Sequence, residues 1–201
     1  MLRVAIEELI RDVRITLDEN AEQSTYIKAN RDNLELDEII REKLPEAARD
    51  ITETAPIQCL EPEVMQTEAT PHEGGGILTV PDDFLRIVSI RMAGWSRSVT
   101  AIADEGSDIE LMQRNKYTKG TTIKPVCVFV KGEDGKKAIE YFGDASDVER
   151  ALYMPIPKIE SVNGADVLPI SRLLRQAIVR RTAGLALLSR GEAEAANSFL
   201  D

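Results

Sequence analysis

A chain of 201 residues with 43% hydrophobic content has enough apolar material for a folded core, so wholesale disorder is excluded. Its 35 acidic and 25 basic residues give a net charge of −10, which argues against a grip on nucleic-acid phosphates, an affinity that comes mainly from Lys and Arg. Two cysteines without CxxC spacing and a single histidine argue against a disulfide framework or a zinc site and fit a reducing compartment.

The N-terminus turns acidic at Glu7-Glu8 and lacks the apolar stretch of a secretory signal. No run approaches the ~20 apolar residues of a membrane span. Leu2, Ile6, Leu9, Ile10, Val13 and Leu17 recur at three- and four-residue steps and predict a first amphipathic helix. Asp18–Asn33 reads as a polar connection anchored by Tyr26 and Ile27. A second stripe, Leu36, Ile39, Ile40, Leu44, Ala47, Ala48 and Ile51, predicts another helix, which Pro45 should kink or restart.

Ala55-Pro56 closes this region, and Gln58–Gly76 marks a boundary. Its glycines, Gly74–Gly76, lack a phosphate-loop pattern and precede a strand, so they read as a flexible linker. Short β-rich runs follow at Ile77–Val80, Phe84–Met92, Val99–Ala103 and Arg150–Met154. Val126–Lys131 and Ala138–Phe142 flank an Asp-Gly turn and predict a hairpin over 126–142. Ser107 and Glu110 have capping-box spacing and predict a short helix near 107–116, with Ile109, Leu111 and Met112 on its apolar side.

Pro169 suits the first turn of a helix, and the stripe Ile170, Leu173, Leu174, Ala177, Ile178, Gly184, Leu185 and Leu188 follows it. Gly191 breaks this run before Glu192–Leu200 resumes. The expected fold is α+β: a helical bundle of residues 1–57 and 165–201, with a β-rich insert at 58–164.

Candidate chemistry is sparse. His72 reads as a solvated loop histidine, which leaves a triad without a base. Asp82-Asp83 and Asp144/Asp147 lie in turn contexts, whereas an acid/base pair needs two carboxylates in contrasting environments. No catalytic residue, metal ligand or cofactor is expected. Charge, in contrast, is segregated. Residues 1–70 hold 17 acids and 8 bases, whereas residues 167–190 hold Arg172, Arg175, Arg180, Arg181 and Arg190 and no acid. Arginine forks bind carboxylates bidentately, so these side chains are expected to meet the acidic N-terminal helices, in the same subunit or in a neighbour.

Three segments resemble, in the same order, the head-to-tail connector (adaptor) proteins of tailed bacteriophages. They are Leu36–Ile51 with Ala55-Pro56, Leu78–Trp95 with its Pro-Asp-Asp-Phe-Leu-Arg core, and the small-residue-rich Leu174–Leu200. The resemblance implies a virion structural protein, made in the bacterial cytoplasm and placed at the head–tail junction. It implies a homo-oligomeric ring, commonly of twelve copies, beneath the portal protein, with tail or further ring proteins docking on it. DNA would pass through unbound, and no membrane is involved. The candidate subunit or portal interface comprises Arg172, Arg175, Arg180, Arg181, Phe199, Leu200 and Asp201. The alternatives are a cellular regulatory or peptide-binding module using the β insert, or a carboxylate-based hydrolase around Asp82 and Asp83.

Overall fold

The computed structural model describes residues 2–20, 30–132 and 135–200; the expected anchors Tyr26 and Ile27 lie outside them. These residues form ten strands in three antiparallel sheets and five helices, a mixed and mainly β architecture. The expected bundle of N- and C-terminal helices is overturned. Those segments contain β1 (Leu2–Ala5) and β10 (Ala165–Ile170), which form a sheet with β9 (Glu160–Val162) in the order β1-β10-β9.

Local physics accounts for the difference. Leu2 lies in a strand, and the exposed Arg3 is followed directly by the buried Val4, so successive side chains take opposite faces as in a strand. Pro169 sits in β10 opposite Arg3 rather than opening a helix. The β9 pairing ends at Val167, so β10 is paired on one side at Pro169, where a missing N–H is tolerated. Asn163 (φ 52°) and Gly164 (φ 79°) join β9 to β10 as a type I′ turn, which requires positive φ at both positions.

The chain divides into two compact units, one of Met1–Glu61 with Ile156–Asp201 and one of Pro62–Pro155. In the first, α1 (Ile6–Asn20), α2 (Asn30–Thr54) and α5 (Ala193–Leu200) all pack on α4 (Arg175–Ser189). The second helix runs through Pro45 without restarting. Ile40 and Leu44 before the proline, and Ala47 and Ala48 after it, are all fully buried, and that packing outweighs the lost backbone hydrogen bond.

The second unit holds two sheets. β2 (Glu63–Val64), β8 (Val148–Pro155) and β5 (Phe84–Met92) run in the order β2-β8-β5. β3 (Ala69–His72), β4 (Gly75–Thr79), β7 (Lys137–Phe142) and β6 (Val126–Lys131) run β3-β4-β7-β6. Val99–Ala103 forms two single bridges, Ile90 to Val99 and Ala103 to Val128, in place of a strand.

The glycine-rich segment is no linker. Gly74 (φ 79°) turns β3 into β4, and Gly75 and Gly76 are buried strand residues. A Cβ on Gly76 would stand 2.6 Å from Tyr141 Cζ and 2.7 Å from the Thr70 carbonyl. Only glycine lets the fully buried Tyr141 ring lie across the strand. The Tyr141 hydroxyl donates to the Ala145 carbonyl at 2.9 Å, and its ring meets Trp95 edge-on at 6.0 Å.

Two stability outcomes follow from this core. Gly76→Ala should cost about 1–3 kcal/mol by overpacking, read as a lower urea midpoint at unchanged slope. The second concerns Tyr153, whose hydroxyl is raised from its ordinary 10.0 to about 12 by burial first and by the Asp83 charge second. The fold therefore prefers neutral Tyr153. Its contribution is complete below pH 10 and is lost as pH rises towards 12, because the unfolded chain ionises first. In Tyr153→Phe this part of the alkaline loss, on the order of 2 kcal/mol, should vanish from denaturation curves taken across that range.

Candidate interaction surface on the first unit

Five arginines make ion pairs that tie elements of the first unit together. Arg3 pairs with Glu160, Arg14 with Asp37, Arg41 with Asp166, Arg175 with Glu8 and Asp12, and Arg181 with Asp50. Glu8 and Asp12 stand one turn apart on α1, where like charges repel; one guanidinium relieves both. Arg175 Nη2 donates to Glu8 Oε1 and to Asp12 Oδ2, each at 2.6 Å, and its Nε reaches Asp12 Oδ2 at 3.0 Å. Asp12 first, and Glu8 after it, hold the Arg175 guanidinium above its ordinary pKa. On the next face of α4, Arg181 Nη2 donates to Asp50 Oδ2 of α2 at 2.9 Å.

The sequence-predicted interface residues therefore fall into two groups. Arg175 and Arg181 are half-buried and satisfied within their own chain. Arg172 and Arg180 are exposed, and their guanidinium groups have no ion-pair partner among the described residues. The backbone N–H of Arg172 donates to Glu61 Oε1 at 3.1 Å and holds that carboxyl below its ordinary pKa. Phe199 and Leu200 are half-buried on α5, and Asp201 lies outside the described residues.

Arg180, Phe199 and Leu200 line an open cleft of about 760 Å³, together with Thr16 of α1, Asp50 and Glu53 of α2, and Gln176 of α4. One wall depends on Gly184, which the sequence placed only in an apolar stripe. A Cβ there would stand 2.6 Å from Leu200 Cδ2 and 3.2 Å from Phe199 Cβ, so glycine sets how closely α5 seats on α4. The signal was the small-residue run Ala183-Gly184 with Ala186, which permits close helix approach. The cleft is polar and bordered by both charges, which suits a macromolecular contact better than an enclosed substrate site.

The remaining candidates are engaged structurally. His72 is in β3 rather than in a loop, and its Nε2 lies 3.2 Å from Glu140 Oε1 across the sheet. Lys136 Nζ donates to Asp82 at 2.8 Å, Asp83 accepts from the Tyr153 hydroxyl at 3.2 Å, and Asp147 accepts from Ser146 at 2.7 Å. Asp82 and Asp83 thus serve turn and core contacts. Burial pushes the Cys127 thiol up to about 12, which removes it as a thiolate nucleophile. Among the described residues no group of three or more His, Cys, Asp or Glu could hold a metal, and no helix is long and apolar enough to cross a membrane. No protein-family model matches this chain, and no curated protein matches it in sequence.

The two groups of arginines should respond differently to charge reversal. Arg175→Glu places three carboxylates together and should cost about 1–3 kcal/mol of unfolding free energy, whereas Arg180→Glu should stay within about 0.5 kcal/mol. Urea denaturation of the two variants side by side checks the difference.

Proposed function

We propose that this protein is a head-to-tail adaptor of a tailed bacteriophage: a non-enzymatic structural subunit that forms a ring beneath the portal, extends the DNA channel and carries tail components. The observation that carries the reading is the ordered likeness of three segments to such adaptors. The first and last of these supply α2, α4 and α5, which border one cleft.

The physical chemistry supports this reading at two points. A chain of net charge −10 presents a potential that repels phosphate, so duplex DNA can pass close by without being held. Arg172, Arg180 and the half-buried Phe199 and Leu200 combine cations without an ion-pair partner among the described residues with apolar anchors, the composition of a docking surface. The portal is the occupant proposed for it, and Arg175 and Arg181 hold the surface in shape from within.

Electron microscopy of the purified chain, alone and with portal rings, tests the reading. The expected result is a closed ring that binds the portal. The double variant Arg172→Glu/Arg180→Glu should keep the ring and lose the portal. A chain that stays monomeric and ignores every portal tried would remove the adaptor reading.

A further inference from the structure

The second unit carries a surface that neither its fold nor the cleft explains. Between the bridges at Val99 and Ala103 and strand β6 the chain makes α3 (Asp108–Gln113) and a long loop to Pro125. Ser107 caps the helix, accepting from Glu110 N at 3.3 Å, and Gly106 N donates to Glu110 Oε2 at 2.9 Å. Buried Gln113 fixes the far end: its amide donates to the Ile109 carbonyl at 2.7 Å and accepts from Gly120 N at 2.8 Å. Thr118 Oγ1 donates to the Met112 carbonyl at 2.5 Å, and Ser96 Oγ donates to the Ile123 carbonyl at 3.0 Å. Ser107, Glu110, Gln113 and Thr118 are thus satisfied within this segment.

Its apolar groups are turned outward. Five of the eleven large hydrophobic side chains left exposed among the described residues lie here: Ile109, Leu111, Met112, Tyr117 at 84% exposure and Ile123 at 69%. The predicted apolar side of α3 is thus left about half exposed, at 51–54% for Ile109, Leu111 and Met112. The charge is also inverted. Residues 111–131 contain Arg114, Lys116, Lys119, Lys124 and Lys131 and no acid, in a chain that is otherwise strongly acidic. A loop fixed by its own hydrogen bonds that displays an aromatic and several aliphatic side chains beside Lys116, Lys119 and Lys124, with Arg114 paired to Glu110 at 2.9 Å, has the composition of a preorganised protein-binding hot spot. Aliphatic groups gain nothing from phosphate, which favours protein over nucleic acid as the occupant.

The complementary surface is on the same chain. Along α2, Glu35, Glu38, Glu42 and Glu46 recur at steps of three and four, all exposed, so they form one acidic row. Glu46 is 3.0 Å from Lys43 Nζ, whereas Glu38 and Glu42 have no ion-pair partner among the described residues. Leu36 and Ile39 flank the row and are only half-buried. We infer that α3 and the loop Arg114–Lys124 of one copy dock on the Glu38/Glu42 face of α2 in the next, a heterologous contact that repeats from copy to copy. Two different patches on one subunit are what a head-to-tail ring requires, and this inference rests on the adaptor reading for the ring itself. Lys116 and Lys124 would relieve the like-charge row, while Tyr117 and Ile123 would be covered beside Leu36 and Ile39.

The test is mass photometry of the full chain over a range of concentration and salt, with electron microscopy of the assemblies. Tyr117→Ser/Ile123→Ser changes only exposed side chains and should raise the half-assembly concentration at least about tenfold without lowering the melting temperature. Lys116→Glu/Lys124→Glu and Glu38→Lys/Glu42→Lys should each do the same, and their combination in one chain should restore assembly. Rings that form equally well in every loop variant overturn this contact and leave the adaptor reading standing. Loop-dependent closed dimers or open filaments support the contact and overturn the ring. A wild-type chain monomeric at all concentrations, with or without portal, removes both. Duplex DNA bound by the wild type and lost in Lys116→Glu/Lys124→Glu, with assembly unchanged, assigns the loop to phosphate and overturns the proposal.

Discussion

The pairing of Leu2–Ala5 with Val167–Ile170 is the closure on which the first unit depends. It joins the beginning of the chain to a segment near its end, and for a flexible chain such a loop costs roughly 4–5 kcal/mol of entropy. The second unit reduces that cost, because it is not a flexible loop. Its first and last residues meet at its own sheet edge, where Glu63 of β2 opposes Tyr153 of β8. Once this unit has folded, the chain leaves and re-enters the first unit at neighbouring points. Ser171 Oγ, donating to the Cys59 carbonyl at 2.6 Å, fastens the exit to the end of β10. The three-stranded sheet then sets where α1 and α4 begin, since β1 runs directly into one and β10 leads to the other.

With the backbone closed in this way, the charged side chains orient the helices more than they hold them. Exposed or half-exposed ion pairs contribute at most about 1 kcal/mol each. The buried faces of α1, α2 and α4, through Ile6, Leu9, Ile40, Leu44, Ile178 and Val179, supply the larger share. What the pairs supply is register. Arg175 must face one turn of α1 and Arg181 one turn of α2, so α4 has a single rotation about its axis that satisfies both. That rotation points Arg180 outward and turns Gly184 towards Leu200.

Much of the local structure was legible. Phe84–Met92 and the hairpin strands around Gly132–Gly135 carry long apolar, β-branched runs, and Ser107 with Glu110 is a cap whose chemistry is local. The strands that overturned the bundle are short or carry misleading residues. Leu2–Ala5 is four residues that also fit the stripe of the following helix, and Pro169 is equally at home in a helix's first turn and a one-sided strand. Asn163-Gly164 did carry a strong hairpin signal, weakened by β9 being only three residues long. Gly74–Gly76 read as a linker because nothing in the sequence says that Tyr141 lies across it. Of the candidate interface, the arginine cluster was legible from composition alone, but which arginines remain free depends on the rotation of α4.

The two short helices, α3 and α5, show why a stripe in a sequence reveals a face but not its cover. Both have apolar residues at helical spacing. α5 is held by apolar contact: Ala196 is fully buried, and Leu200 occupies the space that Gly184 vacates. α3 is held by its polar groups, through the Ser107 cap and the Gln113 amide, so its hydrophobic side chains are not needed to fix it. A helix anchored by hydrogen bonds is free to present Ile109, Leu111 and Met112 to solvent, and its backbone is already ordered when those side chains are finally covered. Rigidity obtained from polar contacts is therefore what makes an outward apolar face a binding surface rather than an unfolded liability.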